Sequence, residues 1–166
     1  FEQDNTHFKP ILDWPDNALA TTSTHDLPTL NGWWHGHDID WNARLDLIDS
    51  HTEMDWRKHR EREREGLSNV LNQDPQNFRE EHLDTDEILD ASVRFLGHTR
   101  APLVLLPLED ALGIDEQSNL PGTTDTHPNW RRRLACDSQV LLDDPGAARR
   151  LEILACARLQ ANERDR

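Results

Sequence analysis

Tyrosine is absent from this chain and methionine occurs once, whereas tryptophan occurs six times among 166 residues. Indole is thus the amphipathic ring the chain uses, and its flat face and single N–H suit both core corners and the C–H face of a sugar. Two cysteines, Cys136 and Cys156, are too few for a disulfide framework and show no metal-ligand spacing, so free thiols in a reducing compartment are expected. Apolar residues reach only 35%, against roughly 45–50% (counted with Gly) in an ordinary domain, which predicts a thin core. No apolar run approaches the roughly 20 residues that a membrane helix needs, and the longest, Pro102 to Leu108, is strand-sized. Phe1 to Pro10 is polar and has no apolar h-region, which predicts no signal peptide there and a cytoplasmic protein. Basic residues number 18 against 32 acidic ones, a net charge of −14. Nucleic acid and anionic membrane would be repelled by such a surface, and a neutral polyhydroxyl ligand would not.

What is present reads as strand, loop, helices, twice over. Residues 1–17 form an irregular leading segment broken by Pro10 and Pro15. Ala18 to Ser23 is a short strand rich in small and β-branched residues, stopped by His25, Asp26 and Pro28. Leu30 to Gly36 is expected to be a turn carrying Trp33 and Trp34. A short helix is expected over Asp40 to Ile48 and a long one over Thr52 to Leu71, capped by Thr52. Within the long helix, RKHREREREG reads as a solvated face of i,i+3 ion pairs, and Asp74-Pro75 ends the segment. Thr85 to Leu96 is the next helix, with Gly97 as its C′ residue. Ala101 to Leu108, APLVLLPL, reads as a strand buried on both faces, as in a parallel sheet. Asp115 to Asn129 is a long loop, and Trp130 to Leu142 and Pro145 to Glu163 are two further helices, the last capped by Asp144. The fold class is therefore α/β but mostly helical by residue count. Two strands cannot complete a parallel sheet, and the chain opens on Phe1 rather than Met, so a piece of something larger is expected.

His25-Asp26 stands at the C-terminal end of the first strand, and Glu109-Asp110 ends the second at the same face. That end of parallel strands is where α/β barrels gather catalytic groups. Taken alone, Asp26 is better explained as a turn cap beside a partly buried, hydrogen-bonded His25. His35, His37 and Asp38 lack a zinc spacing and a fourth ligand, so no metal and no cofactor is expected.

THDLPTLNGWWHGHDI, LLPLEDALG and NLPGTTDTHPNWRRRL, in that order, resemble the end of the amylomaltases, the bacterial 4-α-glucanotransferases. The resemblance implies the C-terminal part of a (β/α)8 barrel, strands 7 and 8 with their helices. It divides the chain into a leading segment (1–17), strand 7 with its His-Asp loop (18–36), helices (40–100), strand 8 with a substrate loop (101–129) and terminal helices (130–166). It implies transfer of α-1,4-glucan segments between maltodextrins with retention. The family's nucleophilic Asp and general acid Glu would lie upstream, on the fourth and fifth strands. Asp26 would be the carboxylate that stabilises the transition state, His25 its hydrogen-bonding neighbour, and Asn119 and Trp34 substrate-binding residues. Trp130 reads as a core anchor for the final helices ahead of a sugar platform, and Glu109-Asp110 as loop support. The isolated segment is expected to be inactive, with glucan oligosaccharides, the missing part of its barrel or a second copy of itself as partners. A non-catalytic helical carbohydrate-binding or interaction module is the alternative.

Overall fold

The computed structural model describes residues 3–4, 7–73, 84–135 and 137–164. The elements run β1 (Gln3–Asp4), β2 (His7–Phe8), β3 (Leu19–Thr21), α1 (Leu30–His35), α2 (His37–Arg44), α3 (Ser50–Leu71), α4 (Thr85–His98), β4 (Leu103–Leu105), α5 (Leu108–Leu112) and α6 (Pro145–Arg164). β1 and β2 pair antiparallel. β3 and β4 pair parallel, Leu19 opposite Leu103, Ala20 opposite Val104 and Thr21 opposite Leu105. Helices α1 to α4 supply the crossover that a parallel pair requires. The two strands therefore end on the same side, and the His25-Asp26 loop and the Glu109-Asp110 segment leave from neighbouring points.

The core lies beside this pair. Phe8, Leu30, Leu67, Leu71, Ile88, Leu89 and Phe95 form its main cluster, with Trp14, Trp33 and Trp34 partly buried against it. Among the helices, α4 and α6 share the most extensive packing. α4 is held open at its start by a reciprocal capping box between Asp84 and Glu87, and α6 by Asp144, which accepts from Ala147 N–H at 3.0 Å.

Several expectations need correction. Residues 30–36 hold a helix rather than a turn: Thr29 caps α1 by accepting from Gly32 N–H, and Gly36 ends it at φ 80°. α3 starts earlier than Thr52, because Asp49 is the cap and Thr52 N–H donates to it at 2.7 Å. Gly97 lies inside α4, which runs on to His98. The strand in APLVLLPL contracts to three residues between its prolines and is not buried on both faces, for Leu103 is 53% exposed and Leu105 50%. Among the described residues there is one parallel pair and no closed barrel. The helix expected over Trp130 to Leu142 does not form: its described residues are turns and irregular chain, with a 3-10 turn at Leu141–Asp143. Trp130 takes φ 59°, and Leu134, Val140 and Leu142 stay exposed. An apolar stripe with nothing to bury against contributes little to a helix. Cys136 and the Asp74-Pro75 stop lie outside the described residues; Cys156 is a free, exposed thiol on α6.

Candidate functional site at the strand ends

After β3 the backbone leaves the sheet and returns to α1 through Ser23 to Thr29. Ser23 Oγ donates to Pro28 C=O at 2.6 Å across this loop. Both ends of the loop are held by one side chain from the segment that follows β4: Asp110, on α5, accepts from Thr22 Oγ1 and, at 2.7 Å, from Leu30 N–H. Asp110 is 1% exposed. Burial pushes its carboxyl above the ordinary aspartate range, and the bonds from Thr22 and Leu30 oppose part of that shift. Its neighbour Glu109 holds the other loop, accepting from Ser118 Oγ at 2.7 Å. The acidic pair thus supports two loops at once.

Those loops bring His25, Asp26 and Asn119 together. Asn119 Nδ2 donates to Asp26 Oδ1 at 2.7 Å, and His25 Nε2 lies 3.2 Å from Asp26 Oδ2. All three polar ends face solvent, and Asp26 keeps lone pairs for a ligand hydroxyl. Beside them is a hollow of about 150 Å³ whose lining includes His25, Glu109, Asp110, Ser118 and Trp130.

Trp34 is not brought to this cluster. It packs against the main core, with the Arg64 guanidinium over its ring at 5.6 Å. Trp33 lies under Arg60 at 4.9 Å and lines a second hollow with Leu27 and Pro28. Trp130 is no core anchor, being 65% exposed, and its ring centroid stands 5.6 Å from that of His25. His35, His37 and Asp38 go to separate partners: His35 to Asn31, His37 to Asp115, Asp38 to Arg60.

Sequence reasoning missed the supports around the site. The charge run of α3 is not simply solvated. Arg60 donates to Trp33 C=O at 2.5 Å and to both oxygens of Asp38, and Arg64 donates to Trp34 C=O at 3.0 Å. These are last-turn carbonyls of α1, short of the i+4 donors of a helix interior; Trp33 C=O also accepts from Gly36 N–H at 3.2 Å. The i,i+4 spacing of Arg60 and Arg64 was visible, but which carbonyls they reach depends on how α1 folds. Also missed was the staple of the 115–130 loop. Asn129 Oδ1 accepts from Leu120 N–H at 2.9 Å and from His127 Nδ1 at 2.6 Å, while Asn129 Nδ2 donates to Thr123. His127 is buried, edge-on to Trp41, and Trp41 Nε1 donates to Glu116 at 2.9 Å. Of the three arginines that follow Trp130, Arg131 pairs with Asp125 and Arg132 with Glu116.

Residues 1–138 match the family model described as 4-alpha-glucanotransferase. The chain is 30% identical over 143 residues to a 4-alpha-glucanotransferase of Haemophilus influenzae, which covers 81% of this chain and 20% of that protein. It is 33% identical over 156 residues to a 4-alpha-glucanotransferase of Mycobacterium tuberculosis, covering 88% and 20%. In three dimensions 91% of the chain superposes on 22% of the amylomaltase from Corynebacterium glutamicum, with a TM-score of 0.66 at 24% identity, a likeness of fold. The chain thus spans about a fifth of the length of the curated relatives it matches. On the match over most of its length, it belongs to the 4-alpha-glucanotransferase family.

Proposed function

We propose that this segment supplies the transition-state-stabilising side of a 4-alpha-glucanotransferase acting on α-1,4-glucans. In this reading β3 and β4 are strands 7 and 8 of a (β/α)8 barrel, and the rest of that barrel carries the nucleophile and the general acid. The observation that carries it is the junction of Asp26 with His25 and Asn119 at the ends of two parallel strands.

Glycosyl transfer with retention passes twice through an oxocarbenium-like state, and two carboxyl groups roughly 5–5.5 Å apart do the covalent and proton work. A third carboxylate helps differently. Asp26 accepts hydrogen bonds from two adjacent sugar hydroxyls, which holds the distorted ring and places negative charge near the positive charge that develops. His25 donates to a neighbouring hydroxyl. Asn119 has both donor and acceptor atoms on its amide and reaches the same sugar while fixing Asp26. Neither acidic residue at the end of β4 takes the part of nucleophile or general acid in this reading, because Asp110 is engaged under the loop and Glu109 holds Ser118.

The test is Asp26→Asn in the full-length enzyme that carries this segment, assayed by transfer between maltotriose molecules. The variant is expected to lose about 10²–10³ in kcat with its fold intact. Near wild-type turnover by a well-folded variant would remove Asp26 from the catalytic set.

A further inference from the structure

Trp130 combines two unfavourable features. A bulky residue at φ 59° is a genuine backbone outlier, and such conformations persist where the surroundings over-determine them. Its ring is also left 65% exposed, so burial does not offset the strain. The turn is fixed nonetheless. Trp130 N–H donates to Ser118 C=O at 3.0 Å and Arg131 N–H to Pro128 C=O at 3.2 Å. These bonds hold the indole against His25, tilted by 43°, at the edge of the hollow lined by Glu109 and Ser118.

We infer that Trp130 is a stacking platform for one pyranose unit of an α-1,4-glucan, next to the unit gripped by Asp26. This rests on the reading of the His25–Asp26–Asn119 cluster as a glucan site. A pyranose offers a flat C–H face ringed by hydroxyls. The complementary surface is one aromatic face with donors and acceptors at its margin. Here the indole supplies the face, His25 the nearest polar edge, and the Asp26–Asn119 pair lies just beyond. A protein partner would instead seek a contiguous apolar patch, whereas Trp130 is flanked by Asn129, with its amide fully engaged, and Arg131 in its ion pair. The left-handed backbone is the feature that allows a separate test, because Gly adopts it without strain.

In the full-length enzyme, Trp130→Gly and Trp130→Phe would be compared with wild type for maltotriose transfer and for thermal unfolding. The expected result is a KM for maltotriose raised about tenfold in Trp130→Gly, the scale of one lost aromatic contact, with kcat changed much less. Tm should be unchanged or higher in the same variant, and Trp130→Phe should recover most of the KM. A fall in Tm of several degrees with KM kept would mean that the ring is covered by another part of the protein, and would overturn the assignment. Failure of the wild type to transfer from maltotriose would overturn the glucan reading itself. Normal turnover in Asp26→Asn would strike the role of Asp26 and leave the Trp130 result standing.

Discussion

Asp110 shows how much of the site rests on one side chain. Its carboxylate ties Thr22 and Leu30, the two ends of the loop that presents His25 and Asp26. Deleting it by Asp110→Ala leaves the buried Leu30 N–H and the half-buried Thr22 hydroxyl without this partner, which should destabilise the chain by roughly 2–4 kcal/mol. Asp110→Asn behaves differently. Burial raises the native carboxyl above its unfolded value, so between those two values the folded state binds more protons than the unfolded state. Wild-type stability should then fall as pH rises through that window, the reverse of a salt-bridged aspartate. The neutral amide lacks this term, so the stability of Asp110→Asn relative to wild type should improve from pH 3.5 upward; urea titrations of both chains across pH 3.5–7 would measure it. A relative loss with rising pH would mean that the ion is favoured in place. The family resemblance did mark Glu109-Asp110 as loop support, from its place after the second strand. It did not tell which loop each carboxylate would hold, since the partners of Asp110, 80 and 88 residues away, are set by strand register.

Between elements, legibility followed the strength of the local signal. α4 was readable from its apolar face, with the Asp84 cap added by the structure, and α6 from Pro145 behind its Asp144 cap. The parallel pairing of β3 and β4 was readable from the alternation of strands and helices, although the burial on both faces inferred from the apolar run does not occur. α1 was missed because six residues containing Gly32 carry too little periodicity, although Thr29 and Gly36 were visible as its two ends. Gly32 serves closeness rather than turning: a Cβ there would sit 2.0 Å from Asp115 C=O, where the 115–130 loop crosses α1. Gly97 was read as a helix stop and is a packing residue. A Cβ at Gly97 would lie 2.6 Å from Ala157 Cβ on α6 and 3.2 Å from Leu154 C=O, and both atoms belong to a helix backbone or its first side-chain carbon. Gly97→Ala gains about 1 kcal/mol of helix propensity but should lose more by forcing α6 away, since overpacking costs typically 1–3 kcal/mol. The double variant Gly97→Ala/Ala157→Gly restores the space and should recover the overpacking loss. Thermal unfolding of the three variants would decide it. An additive double variant would show that the two helices do not press on each other at this point.

At the scale of the whole molecule, the part of the fold the sequence could not supply is whatever covers the β3–β4 pair. Leu19, Leu103 and Leu105 point away from the core and remain 48%, 53% and 50% exposed. A two-stranded sheet also leaves both outer edges with unpaired N–H and C=O groups. In the barrel reading, strands elsewhere in the enzyme meet these edges and the remaining barrel wall meets these leucines. In the 166-residue chain alone, nothing among the described residues does so. The net charge of −14 opposes association, but charge repulsion between solvated surfaces is screened beyond a Debye length of about 8 Å at physiological salt, and strand edges act at contact. The chain by itself should therefore self-associate, and more so as salt is raised. Sedimentation velocity at several concentrations, at low and at physiological ionic strength, would show a weight-average mass climbing above 19.3 kDa. A monodisperse monomer under all conditions, with a cooperative melt, would mean that the exposed sheet is tolerated and that the edge argument fails. The same samples should show no transfer between maltotriose molecules. Measurable transfer would place a nucleophile and a general acid within this segment and would overturn the division of labour proposed for it.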